Sequence, residues 1–342
     1  MILGFGILAL AALIFLGILL QQRSASTPPP QTPKKIGVLQ WVTVVDPSFE
    51  GFKKAMSDLG YMEGRDVVYE YQNANADPKK AAELARNFVD QGVDLMYAMT
   101  FPGAKPALDA TIAAGRQDIP IVFAHASNPV EGGIIESYRS SGNNLTGVAA
   151  DIAGLTPKKL EILKRINPKL TKVGVFVVPD DKTPSRGLTM VSLRENARQF
   201  GITLVEYPIR SVPSPEFAAE VQRVADSINP GDVEAMFHPP GVIDSRETQQ
   251  IDAELGNRLG IPVTFVTPQT LALGGLFVYS HDFFAVGEQA AVFADKIFQG
   301  ARPADIPIEV PQKNVLTVST RNAQQLGIII PPDLLEIAER WD

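Results

Sequence analysis

Side chains able to hold a small molecule fall in this sequence directly after short apolar runs. In an open parallel sheet the ligand sits beyond the carboxyl ends of the strands, where loops and helix N-termini converge. Those positions supply Gln40 and Trp41, then Thr100 and Phe101, then His125, Ser127 and Asn128 from the first part of the chain. From the second part they supply Asp180, Asp181 and Thr267, set among prolines. A hydroxyl at a helix start, beside unbonded main-chain N–H groups, suits a carboxylate. Thr100 reads that way, or as the cap of its own helix. Trp41 and Phe101 offer flat faces to an apolar or aromatic solute, or else pack between helix and sheet. Ser127 and Asn128 read as solute contacts or as a turn closed by an Asx cap.

Catalysis finds little support. Histidine occurs only at 125, 238 and 281, never with a cysteine or a close serine arrangement, so His125 reads as a hydrogen-bonded structural residue sooner than as a general base. Walker, dinucleotide-binding, nucleophile-elbow and HExxH patterns are all missing. The adjacent acids Asp180 and Asp181 suit a solvated loop better than a catalytic pair. No enzymatic activity, cofactor or metal is expected.

The elements that must position these residues follow one repeated order. An apolar run at 36–40 precedes Asp46-Pro47 and then Phe49, Phe52, Met56 and Leu59 at helical spacing, with Gly60 as a stop. The order recurs with a strand at 67–71, Asp77-Pro78 as cap and first helical position, a buried face of Ala81, Ala85, Phe88 and Val89, and Gly92 as terminator. Strands at 94–99 and 119–124, with a helix between them, complete one lobe. After Thr156-Pro157, read as another cap and first-turn proline, the pattern restarts with strands at 173–178, 202–207, 235–238 and 263–266 alternating with helices. Such alternation implies parallel sheets covered by helices, and 342 residues suffice for two lobes.

Composition narrows the partner. A net charge of −7 without a basic block argues against nucleic acid, which needs a positive footprint; a small solute fits better. The absence of cysteine excludes disulfides, thiolate chemistry and a lipidated-cysteine tether.

Four segments carry a family resemblance: Ile119-Pro120-Ile121-Val122-Phe123, the turn Ser127-Asn128-Pro129-Val130, Gly142-Asn143-Asn144-Leu145-Thr146-Gly147-Val148, and Ala304-Asp305-Ile306-Pro307-Ile308-Glu309-Val310-Pro311. With them the chain from 35 to 330 resembles the ABC-transporter substrate-binding family of the tryptophan/tyrosine type. The resemblance implies an α/β fold of two Rossmann-like lobes with parallel sheets joined by a three-strand hinge, the type I periplasmic-binding arrangement. It implies a first lobe of 35–148 plus 276–312 and a second of 149–275 plus 313–342. The implied function is capture of an amino acid or related organic solute in the cleft between lobes, outside the cytoplasm. Delivery would be to an ABC permease and its ATPase subunit, by a monomer. A membrane-tethered sensing domain of a signalling system is the alternative. Asp282 aligns with an aspartate that the family places at the lobe junction, where it could meet a substrate ammonium or cap the next helix. At Asn128 the chain departs from the family's aspartate.

Residues 2–20 form an apolar run of 19, about 28 Å long as a helix and so close to the thickness of a bilayer core. Together with the flank to residue 23 it reads as a transmembrane anchor or a signal peptide. The proline-rich stretch 24–34 reads as an extended linker. Arg23, Lys34 and Lys35 by themselves favour a cytoplasmic C-terminal side, whereas the resemblance implies export.

Overall fold

The computed structural model describes residues 32–179, 184–210, 212, 216–240 and 245–341. The expected anchor or signal segment and nearly all of the expected linker lie outside the described residues. Among the described residues no helix is long and apolar enough to cross a membrane.

Two sheets repeat one strand order. The first runs β2-β1-β3-β4-β5, from β1 (Lys34–Gln40), β2 (Val67–Asn73), β3 (Leu95–Met99), β4 (Ile121–Ser127) and β5 (Leu145–Ala150), with every pair parallel. The second contains β6 (Lys172–Val177), β7 (Thr203–Pro208), β8 (Ala235–Phe237), β9 (Val263–Phe265), β10 (Phe277–His281), β11 (Asn314–Val318) and β12 (Glu339–Arg340), ordered β12-β11-β10-β9-β8-β6-β7. Its β10–β11 pair is antiparallel. The sheets thus form two α/β lobes, as the alternation predicts.

Period-2 burial on both faces explains the continuous apolar runs. In β3, Leu95, Tyr97 and Met99 face one core, while Met96 and Ala98 face the other. Helices α2 (Pro78–Gln91) and α3 (Phe101–Ala113) close one side of the first sheet, and α1 (Asp46–Asp58) closes the other together with α8 (Phe283–Phe298). In the second lobe α4 (Thr156–Ile166) and α5 (Pro184–Gln199) cover one face; α6 (Glu216–Asp226) and α7 (Arg246–Leu259) cover the other. Helices α9 (Thr320–Gln325) and α10 (Pro332–Ile337) follow β11.

The expected caps divide. Asp77 accepts from the N–H groups of Lys79 and Lys80, and Asp282 accepts from Ala285 N–H at 3.1 Å. Thr156 instead begins its helix without capping it.

The chain passes between lobes after β5, between β10 and α8, and between Glu309, which bridges to Val148, and β11. One expected boundary changes here. The resemblance implies residues 276–281 in the first lobe, yet Phe277–His281 pairs with β9 and β11 in the second sheet, and only from Phe283 does the chain enter the first lobe's core. Likewise β5 remains in the first sheet as far as Ala150, two residues past the expected break at 148. Strand pairing decides both positions, and an apolar run does not disclose its partner.

Helix α8 reaches the first lobe by direct backbone contact with α1. A Cβ on Gly51 would collide with the carbonyl of Phe284, and one on Gly287 with the carbonyl of Ser48. Only glycine permits that approach. Replacing Gly287 by Ala should therefore cost about 2–3 kcal/mol of stability through overpacking, read as a lowered urea midpoint at unchanged slope. An unchanged midpoint would mean the helices separate freely.

Candidate ligand-binding site

A cavity of about 330 Å³ lies between the lobes. From the first lobe Val45, Thr100, Phe101, Pro102, His125 and Ser127 line it. Ala150, Ile152 and Leu155 come from the first crossing, and Lys159, Val266, Ser280, His281 and Phe283 complete the wall. The first-lobe contribution falls at the carboxyl ends of β3 and β4, next to the point where the strand order reverses, as the open-sheet rule requires.

Four expected site residues, Thr100, Phe101, His125 and Ser127, meet in this lining. Trp41 is half-buried outside it, and its main-chain N–H donates to the Gln40 side-chain oxygen at 2.9 Å. Asn128 turns the chain beside the cavity, its carbonyl accepting from Gly132 N–H. Thr267 begins a 3-10 turn and leaves the lining to its neighbour Val266. Asp180 lies outside the described residues. Asp282 sits between two lining residues, yet its carboxylate is 2.6 Å from the Lys313 ammonium and caps α8. Burial works to raise its pKa, but the Lys313 hydrogen bond and charge and the Ala285 N–H prevail and hold it below the usual carboxylate value.

The cavity rim is strained. Thr100 (φ 66°), His125 (φ 61°) and Asn128 (φ 49°) adopt positive φ without being glycine, a cost that persists where the surroundings impose it and that gathers at functional sites. Thr100 sits at the N-terminus of α3 without side-chain capping, and its Oγ1 is buried with no hydrogen-bond partner. The expected anion site at this helix start is weak, because Pro102 has no N–H and the Gly103 N–H already donates to the Thr100 carbonyl at 3.3 Å.

The positive charge comes instead from Lys159, one turn inside α4, 3% exposed. Its ammonium donates to the Phe265 carbonyl at 2.8 Å and lies 5.6 Å from the Phe237 ring centre. No strand-end rule finds a lysine inside a helix, so the residue was invisible in the sequence. His281 and Phe283 escape the same rule because they enter through the crossing geometry, and Val45 because it lies in the 3-10 turn after β1 and not at the strand end itself.

His125 is held as a structural histidine and is a wall of the cavity as well. Its Nε2 is 3.0 Å from Ser48 Oγ, which is 3.1 Å from the Tyr97 hydroxyl. Its ring meets Phe283 edge-on at 4.9 Å. Burial, with the His281 ring adding to it, pushes its pKa down to about 3. The unfolded chain therefore binds a proton that the native state refuses, and stability falls as pH drops below the unfolded value of about 6.5. Between pH 6.5 and 5 the wild type should lose about 1.5 kcal/mol more than His125→Gln, measured by urea denaturation across that range; parallel pH profiles would reject the buried neutral state.

Comparisons with known proteins agree with this geometry. Residues 35–341 match the family described as ABC transporter substrate binding protein. A tyrosine-binding protein of Clostridioides difficile (strain R20291) is 28% identical over 299 residues, covering 86% of this chain and 81% of its own. A ligand-free, open substrate-binding protein with adhesive properties from Clostridium difficile superposes with a TM-score of 0.75 at 24% identity, over 90% of this chain and 99% of its own. An ABC domain in complex with L-Trp from Streptococcus pneumonia superposes at 0.73 and 23% identity with the same coverage. The two-lobe fold, the cleft and the match along nearly the whole described chain together show that this protein belongs to the ABC transporter substrate-binding family.

Proposed function

We propose that the protein captures a compact, largely apolar amino acid or related organic acid between its lobes, outside the cytoplasm, and delivers it to an ABC permease driven by its ATPase subunit. The observation that carries this reading is the cavity, which both lobes line. Its volume is that of a small organic molecule, its walls are mainly apolar, and Lys159 brings a positive charge to them. A carboxylate is drawn toward that ammonium, while the solute's apolar body meets Val45, Phe101, Leu155 and Phe283. The tyrosine- and L-Trp-binding proteins similar to this chain support an amino acid as cargo. The positions around Asn128 and Thr267 give no reason to favour an aromatic over an aliphatic side chain. Solute that touches both walls favours the closed state by its differential contacts, so its affinity equals contact energy less the cost of closing.

A thermal-shift screen of the purified full chain against the twenty amino acids, their 2-oxo and 2-hydroxy acids and small carboxylates tests the reading. A solute at 100 times its dissociation constant stabilises by about 2.7 kcal/mol. A shift confined to one chemical group is expected, and silence across the panel from folded protein would reject it. Lys159→Met, which keeps the length and removes the charge, should weaken a carboxylate-bearing solute about tenfold or more, about 1.4 kcal/mol, and its uncharged amide by much less. Equal losses for acid and amide would exclude a charge role for Lys159.

A further inference from the structure

We propose that Gly132 is the positioning residue that sets how large a solute the cavity accepts, by leaving room for the Phe101 ring to rest against the loop 128–133; the proposal rests on the solute-binding reading above. Phe101 lines the cavity, and Gly132 is not among the residues that do. A Cβ built on Gly132 would strike Cε2 of the Phe101 ring and stand only 2.6 Å from its Cζ. Carbon atoms in contact sit about 3.5–4.0 Å apart, so the ring tip would have to retreat by about 1 Å or more.

The main chain on both sides of this contact is pinned. Phe101 begins α3, and the Thr100 N–H just before it donates to the Ala124 carbonyl at 2.7 Å. Across the contact, Gly132 N–H donates to the Asn128 carbonyl at 2.9 Å, Gly133 N–H to the Val130 carbonyl at 2.9 Å and Ile134 N–H to the Pro129 carbonyl at 3.0 Å, which closes the loop on itself. Ile134 and Ile135 then bury their side chains in the first lobe's core. With both backbones held, the place of the ring depends on which atoms residue 132 carries.

A displaced ring moves toward the cavity. Phe101 packs against the core that holds Ala104, Ala126, Ile134 and Ile135, and a close-packed core resists added volume, whereas the cavity that the same ring borders is open to it. Backbone conformation does not require glycine at 132, which lies outside the left-handed region. It does at the neighbouring Gly133, where φ is 68° and a Cβ would meet nothing within 4 Å. Glycine at 133 therefore serves the turn, and glycine at 132 serves the ring.

The test uses the full chain with L-valine, L-leucine, L-phenylalanine, L-tryptophan and their 2-oxo acids, a series graded by size on one frame. By calorimetry, Gly132→Ala should weaken binding by a factor that grows with side-chain size, about tenfold or more greater for the largest member that binds the wild type than for the smallest. Gly133→Ala, which strains the turn without reaching the ring, should lower the urea midpoint and leave the size dependence of the wild type. Phe101→Ala alone, which adds no atom, should move the preference toward the larger members, and adding Gly132→Ala to it should change the preference no further, since no ring remains to be displaced. A crystal structure of solute-free Gly132→Ala is expected to show the Phe101 ring moved into the cavity. A loss equal across the series, the same size dependence in Gly133→Ala, an unchanged preference in Phe101→Ala, a Gly132→Ala effect that persists without the ring, or a loop withdrawn from an unmoved ring would each overturn the proposal and leave the solute-binding reading standing. Binding of none of these solutes by the wild type would overturn both.

Discussion

The cleft depends on the contact between two helices from opposite parts of the chain. Helices α1 and α8 meet backbone to backbone at Gly51 and Gly287, each glycine lying where a side chain would strike the other helix's carbonyl. Ser48, whose carbonyl abuts Gly287, is also the residue that holds His125 by its hydroxyl. Phe283, the first residue of α8, packs on the edge of the same imidazole. One close approach therefore sets the return crossing, the position of His125 and the first-lobe wall of the cavity. A large residue at either glycine would displace all three, because a close-packed interior transmits strain.

The hinge extends that constraint into the second lobe. Strands β10 and β11 run antiparallel as the chain leaves and re-enters that lobe, and at their ends Asp282 pairs with Lys313 while His281 pairs with Asn314. These pairs tie the two strand ends together where the backbone ladder finishes. One of the residues so tied, His281, is part of the cavity lining. Meanwhile Thr100, His125 and Asn128 store backbone strain on the other wall. A cavity whose rim is held this way on both sides would lower the ordering cost of binding a solute there.

The family's function enters through this preparation rather than through the fold alone. Similar folds serve sugars, polyols and amino acids, as the solute-binding proteins that superpose on this chain illustrate, and the lobes say little about cargo. This cavity carries a sparse polar set among apolar walls: a lysine, two imidazoles, and the three hydroxyl-bearing residues Thr100, Ser127 and Ser280. Few polar groups at defined places give orientation, and the apolar remainder gives affinity.

Much of the architecture was legible because burial on both faces of a parallel strand leaves a continuous apolar run, and because Asp77-Pro78, Gly92 and Gly60 punctuate the helices between runs. Local chemistry also placed Thr100, Phe101, His125 and Ser127 at strand ends, and these do line the cavity. The sequence could not show which sheet residues 276–281 join, since pairing is a property of two distant segments. It could not show that Lys159, inside a helix, turns to the cleft, nor that Trp41 and Thr267 stand outside the lining while Val45 and Val266 enter it. By itself the sequence determined two helix-covered parallel sheets, through the periodicity of its apolar residues. The tertiary structure alone decided which polar atoms share one cavity, because that depends on how closely α1 and α8 approach and on where the three crossings aim the chain.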